Sequence, residues 1–301
     1  MPYLLVLIML VLVGGGLFLG NYAYTKGLSV ESKGNARQEI STEEGYGTVF
    51  PNEEVYLQTF DDLILHGALV KKNPEDWVIV CHGYRKDGKS MGEQAAKFSE
   101  MGFSVLLPDA RGHGESQGSY VGMGWHDHWD IVEWITYLNE HFSPRRILLY
   151  GLSMGAATVM MVGGEPLPAN VQGIIEDCGF SSIKKVFAYQ MKKSYKVPAF
   201  PLLNFASGIC GFRAKYSLRK DGNVLHQLKK CRIPVLFIHG DQDDYVPFSM
   251  MEELYGATKG PKEKLVVHNA IHTTAAKVSP ELYWETVKKF IEAHTFCDTA
   301  Y

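Results

Sequence analysis

Gly151-Leu152-Ser153-Met154-Gly155 places a serine between two glycines, directly after an apolar run at 147–150 and before small residues able to form a helix. Strand, turn and helix in that order are the context in which a G-x-S-x-G match carries chemistry. The glycines permit a sharp turn without Cβ clashes, and such a turn pushes the Ser153 hydroxyl out of the sheet. The N-terminus of the following helix favours negative charge developing beside it. Outside that context the same pattern is only a Gly-rich turn. A hydroxyl is a weak nucleophile until a base takes its proton. The chemistry expected is therefore nucleophilic attack by Ser153, with a histidine base and an acid to orient it.

The acid should fall between the serine and the histidine in chain order. His239-Gly240-Asp241-Gln242-Asp243-Asp244-Tyr245-Val246-Pro247 follows an apolar run at 235–239. Asp243 sits in the loop just past the strand end, with Val246-Pro247 closing the turn. Asp241 and Asp244 read as loop-capping or solvated carboxylates. Two histidines follow, His268 at a strand end and His272 farther out in the loop before the last helix. Loop position favours His272. An acyl oxyanion needs donors, expected from the backbone N–H groups of Met154 and of Tyr84 in His82-Gly83-Tyr84. His82 itself reads as a brace for its loop.

The elements that must position these groups alternate. Residues 55–60 and 64–70 read as two antiparallel strands, and 77–81 is a continuous apolar run suited to a strand buried on both faces. Strand patterns at 104–108, 147–150, 173–176, 235–239 and 264–267 alternate with helical ones at 90–101, 124–142, from 154, at 248–255 and at 281–296. Such alternation implies an α/β fold with a mostly parallel sheet and helices on both faces. The 301 residues suffice for one large domain of this kind.

Composition narrows the partners. A net charge of −3 and a pI of about 6.4 give no footprint for nucleic acid. There is no Walker-type phosphate loop and no dinucleotide fingerprint after the first strand. The five cysteines, Cys81, Cys178, Cys210, Cys231 and Cys297, form no C-x-x-C pair and no zinc-spaced cluster. Their odd number leaves at least one free thiol, and no metal or organic cofactor is expected.

Taken together, these motifs resemble the α/β-hydrolase superfamily from about residue 46 to the C-terminus. The resemblance rests on His82-Gly83, on Asp109-Ala110-Arg111-Gly112-His113-Gly114, on Gly151 to Gly155, on His239-Gly240 with Asp243 and Val246-Pro247, and on His272. More narrowly, Gly124-Trp125, Asp130, Trp134 and Glu176-Asp177-Cys178 resemble bacterial membrane-anchored hydrolases related to the feruloyl esterase and Bem46 groups. The resemblance implies an eight-stranded α/β-hydrolase sheet with a cap insertion. It also implies a Ser153, Asp243 and His272 triad cleaving a small-molecule or lipid-like carboxylic ester. It gives the 109–114 loop a structural role. A thioesterase or peptidase of the same fold, and a binding protein that keeps the fold without catalysis, are the alternatives.

Two segments stand apart. Residues 3–24 carry no charge and are long enough to cross a bilayer. They read as an N-terminal anchor (1–25), with a cleaved signal peptide as the alternative, followed by a polar linker (26–45). This predicts a single-pass protein of the cell membrane. Lys26, Lys33 and Arg37 after the run favour a cytoplasmic body, whereas export-type N-termini in similar proteins point outward. The second segment interrupts the sheet pattern. The core is expected at 46–180 and 223–301, with a cap at 181–222. From Ser181 to Lys220 there are nine Lys and Arg and no Asp or Glu. That run reads as a solvated face or as a cationic lid.

Overall fold

The computed structural model describes residues 2–30 and 53–295, with side chains from residue 13 onward in the first segment. The linker residues 31–45, the expected start of the core at 46–52 and Cys297 lie outside the described residues.

Eight strands form one sheet: β1 (Glu53–Gln58), β2 (Ile64–Val70), β3 (Asp76–Cys81), β4 (Ser104–Pro108), β5 (Arg146–Leu152), β6 (Val171–Asp177), β7 (Val235–Gly240) and β8 (Lys262–Val267). Their order is β1-β2-β4-β3-β5-β6-β7-β8. Only the β1–β2 and β2–β4 pairings are antiparallel; the rest are parallel. The helices are α1 (Pro2–Gly27), α2 (Gly92–Glu100), α3 (Trp125–Phe142), α4 (Met154–Val162), α5 (Ile183–Ser194), α6 (Leu202–Arg213), α7 (Val224–Leu228), α8 (Phe248–Ala257), α9 (Ala275–Val278) and α10 (Pro280–His294). This is the α/β-hydrolase architecture expected from the sequence.

β3 is central and buried along its whole length. Its side chains alternate between two cores, as a strand period of two requires. Trp77 and Ile79 join Trp134, Leu149 and Met160 on one face. Val78 and Val80 join Phe98, Tyr150 and Phe290 on the other. The parallel strands all point one way, so the loops at their C-terminal ends gather on one edge. Ser153, Asp243 and His272 all lie on that edge.

A buried ion cluster ties this edge together. Arg111, fully buried, donates to both oxygens of Asp130 on α3, at 2.8 and 2.5 Å, and to Asp61 after β1 at 2.9 Å. Burial pushes the Asp130 carboxyl up to about 6, against the lowering effect of Arg111. The loop carrying Arg111 also carries Asp109, whose carboxylate accepts from the Gly88 and Glu115 amides at 2.7 and 2.9 Å.

The expected membrane anchor and cell-membrane localisation are overturned. Among the described residues, no helix is long and apolar enough to cross a membrane. The second half of α1 instead packs on α6. A Cβ at Gly16 would lie 2.3 Å from the Phe205 ring, and one at Gly20 would lie 2.7 Å from the Phe205 Cβ. Asn21 accepts from Arg213 at 3.1 Å, and Tyr24 and Leu28 are buried in the main core.

Between β6 and β7 the chain leaves the sheet, forms α5 and α6, and returns through a bridge between Ser182 and Asn223. Several cations of this basic segment reach the core. Lys185 pairs with Glu253 at 2.8 Å and Lys193 with Asp244 at 2.6 Å. These exposed pairs link the insert to the core, so the positive run is not wholly a free face.

Arg111→Ala should destabilise the fold by about 3–5 kcal/mol, because it strands the buried Asp130 without its partner. Equilibrium urea unfolding measures this, and a loss below about 1 kcal/mol would show that the cluster does not hold the loops.

Candidate active site

Ser153 stands at the turn between β5 and α4 with φ +56° and ψ −107°. Only a closely packed turn holds a non-glycine residue in such a conformation. A Cβ at Gly151 would lie 2.2 Å from the Gly155 carbonyl oxygen, and one at Gly155 would lie 2.2 Å from that of Cys81. Both glycines are therefore sterically required. The Ser153 amide donates to the Asp177 carbonyl at 2.8 Å.

Ser153 Oγ lies 2.8 Å from His272 Nε2, and His272 Nδ1 lies 2.7 Å from Asp243 Oδ2. The three residues come from three loops and meet in one line. Asp243 Oδ1 accepts from the Tyr245 and Val246 amides at 2.9 and 2.8 Å. His239 Nε2 approaches Asp243 Oδ2 at 3.2 Å. Burial pushes the Asp243 carboxyl up, but the hydrogen bonds and charge of His239 and His272 outweigh it and hold the group well below the usual range. The acid is thus ionised. A carboxylate there keeps the His272 proton on Nδ1 and leaves Nε2 free to accept from Ser153. Tyr245 stacks on the His272 ring with centroids 5.0 Å apart.

The rival candidates are engaged elsewhere. Asp241 accepts from the exposed His268 at 2.8 Å and from the Asn269 amide at 2.8 Å, which braces the 268–269 loop. Asp244 pairs with Lys193. Asp177 accepts from the Tyr283 hydroxyl at 2.9 Å, and burial pushes it up to about 6.

The Met154 amide opens α4, where first-turn N–H groups have no helical acceptor. The loop carrying Tyr84 passes beside the nucleophile, since a Cβ at Gly83 would lie 3.7 Å from the Ser153 Cβ. Two neutral histidines hold this loop. His82 Nδ1 donates to the Gly83 carbonyl at 2.8 Å while Nε2 accepts from the Ala110 amide at 3.0 Å. His113 Nδ1 donates to the Arg111 carbonyl at 3.0 Å and Nε2 accepts from the Arg85 amide at 3.2 Å. Burial, with the neighbouring His82, drives the His113 pKa down to about 3.

Ser153 and Met154 open into a cleft of ≈ 1590 Å³. Phe180, Val186, Phe187, Met191 and Leu203 form its apolar wall, and the end of α1 forms another. Among the described residues, Cys178, Asp243 and His272 bring ligand atoms within 4.8 Å of one another. Two of them are already bonded in line with Ser153, and burial pushes the Cys178 thiol well up. A protonated thiol is a poor metal ligand.

Sequence reasoning missed His239, Tyr245, His113 and Glu176 as parts of the site. His239 and Glu176 stood inside quoted motifs, but nothing in the pattern indicates that His239 reaches Asp243 or that Glu176 lies buried near His239. Burial pushes the Glu176 carboxyl up to about 8, against the lowering effects of the His239 charge and the Gly179 amide.

Comparison with known proteins agrees with this fold. Residues 72–206 match the family described as serine aminopeptidase, S33. The uncharacterized protein YqkD of Bacillus subtilis is 30% identical over 216 residues, which is 71% of this chain and 70% of YqkD. The Pyrococcus furiosus esterase Pf2001 superposes with a TM-score of 0.68 at 25% identity, covering 80% of this chain and 91% of the esterase. Est1E of Butyrivibrio proteoclasticus, solved with ferulic acid, shares the fold with a TM-score of 0.63 at 18% identity, over 80% and 99% of the two chains.

Glu176 is neutral in the fold up to about pH 8 but ionised when unfolded above its ordinary value. The stability this raised pKa contributes is complete below the unfolded pKa and is lost as pH rises through about 8. Glu176→Gln keeps the neutral shape, so its urea midpoint should vary less than that of the unmodified chain from about pH 5 to pH 8. Identical slopes for the two proteins would contradict the assignment.

Proposed function

Because the chain belongs to the α/β-hydrolase superfamily, we propose that it cleaves carboxylic esters through an acyl-enzyme on Ser153. The observation that carries this reading is the unbroken line from Ser153 Oγ to His272 at 2.8 Å and from His272 to Asp243 at 2.7 Å, beside an apolar cleft.

In this reading His272 takes the Ser153 proton as Oγ attacks the acyl carbonyl. The Tyr84 and Met154 N–H groups receive the tetrahedral oxyanion. Asp243 remains ionised throughout and stabilises the His272 imidazolium. His272 then gives its proton to the departing alcohol, and water, activated by the same histidine, releases the acid and restores Ser153. Residues 181–222 form a cap whose apolar side chains receive the acyl group. A small-molecule ester with an apolar acyl chain suits that wall. The esterase Pf2001, among the structural relatives, supports an ester over an amide. Lys26, Arg85, Lys86 and Lys89 line the cleft together with Asp87, Asp109 and Glu115, so its charge is mixed and the preference for an ester rests on the apolar wall.

Ser153→Ala should leave less than about one per cent of p-nitrophenyl ester hydrolysis, the residue that oxyanion binding alone sustains. Asp243→Asn should lose up to ~10⁴ in kcat, far more than Asp241→Asn or Asp244→Asn. Steady-state kinetics on the purified variants measures both. An active Ser153→Ala, or greater sensitivity at Asp241 than at Asp243, would overturn the reading. Hydrolysis of thioesters but not oxygen esters would move the substrate class while keeping the residues.

A further inference from the structure

The end of α1 reaches across the cleft to the loop beside Ser153. The Gly27 carbonyl accepts from the Tyr84 hydroxyl at 2.6 Å, and the Lys26 carbonyl accepts from the Arg85 guanidinium at 2.6 Å. Both carbonyls belong to a final helical turn, where no intrahelical donor reaches them and the helix dipole concentrates negative charge. They are natural acceptors for a hydroxyl and a cation. Arg85 also lies over the Tyr84 ring, 5.1 Å from its centroid, so the two donors support each other.

The helix end is itself anchored. The Val121 amide donates to the Leu28 carbonyl at 2.7 Å and the Val30 amide to the Ser119 carbonyl at 3.0 Å, with a bridge between Ser29 and Tyr120. Tyr24 and Leu28 are buried in the main core. The acceptors are therefore fixed to the body of the fold and do not ride on a loose terminus.

The loop needs such a restraint. Arg85 has φ +54°, in the left-handed region that a side chain disfavours. The Arg85 amide donates to His113 Nε2 at 3.2 Å. The two α1 carbonyls hold the same pair of residues from above. Tyr84 is the residue whose own N–H is assigned to the oxyanion.

We propose that the last turn of α1 is a positioning element of the active site, which fixes the Tyr84 N–H beside Ser153 by gripping the Tyr84 and Arg85 side chains. This rests on the serine-esterase reading above. An oxyanion donor acts on the transition state more than on the bound ester, so slack in the loop lowers kcat and leaves KM nearly unchanged. Complete loss of such a donor costs ~10²–10³ in kcat. Loosening one by removing its grip should cost about tenfold or more on the same scale.

The test compares the full chain with Tyr84→Phe, Arg85→Ala and the double variant. It reads kcat and KM on p-nitrophenyl butyrate, the second-order rate at which a fluorophosphonate labels Ser153, and the urea midpoint. The double variant should lose about tenfold in both kcat and labelling rate, with KM within about twofold. Arg85→Lys, which still reaches one carbonyl, should recover part of the loss seen in Arg85→Ala. If the double variant does not fold, Tyr84→Phe decides, since it deletes a single oxygen. Variants that label and turn over within about twofold of the unmodified chain would overturn the proposal, whatever their urea midpoints. A chain that neither labels nor hydrolyses any ester before mutation would instead overturn the esterase reading, and the grip with it.

Discussion

Ser153 at φ +56°, between two glycines that tolerate no Cβ, is the constraint on which the rest of the site depends. A turn of this kind lifts the hydroxyl out of the sheet only if both flanking backbones approach within contact distance. The Gly155 position is closed by the Cys81 carbonyl at the end of β3, and the Gly151 position by the first turn of α4. β3, β5 and α4 must therefore pack to this tolerance before any chemistry is possible. The neighbouring strands inherit the same register, and their C-terminal loops then arrive at distances set by the sheet.

Those loops sort buried charge sharply. Asp243 has two backbone amides and two histidines around it and stays ionised. Glu176 and Asp177, at the end of the adjacent strand β6, have too few donors to offset burial, and their carboxyls are pushed up to about 8 and about 6. Three acids near one strand edge thus hold different protonation states. Asp243 combines more hydrogen-bond donors with slightly shallower burial than Glu176 and Asp177. His239 feels both Asp243 and Glu176, and its pKa is raised by its bond to Asp243 in spite of burial.

The walls of the cleft come from segments outside the sheet. The basic insert ties itself to the core through Lys185 and Lys193, and its apolar residues face the nucleophile's side of the fold. The uncharged N-terminal segment packs by the same logic. Its glycines let α1 approach Phe205 closely, and its last turn meets Tyr84 and Arg85. Apolar length sufficient for a bilayer is equally what a helix needs to lie against a second helix, so composition by itself does not separate the two.

The sequence by itself determined the sheet, the Ser153 turn and the candidates for its partners. Local patterns encode these: buried parallel strands are continuous apolar runs, and the strand–Gly-x-Ser-x-Gly–helix turn needs its own glycines. It also singled out one loop for the acid and favoured Asp243 within it, by its place just past the strand end and before Val246-Pro247. What the tertiary structure alone decided is which of these groups meet. Asp243 rather than Asp241 faces His272 because the β7 and β8 loops cross at that offset, and Asp241 turns instead to His268. His113 meets the Arg85 amide and Glu176 feels the His239 charge across long stretches of chain, and no periodicity records such contacts. The packing of residues 16–28 was decided in the same way. Hydropathy measures a preference to leave water, and only the packed fold shows that Gly16 and Gly20 meet α6 and Tyr24 and Leu28 the core while Leu17, Phe18, Leu19 and Tyr22 stay exposed.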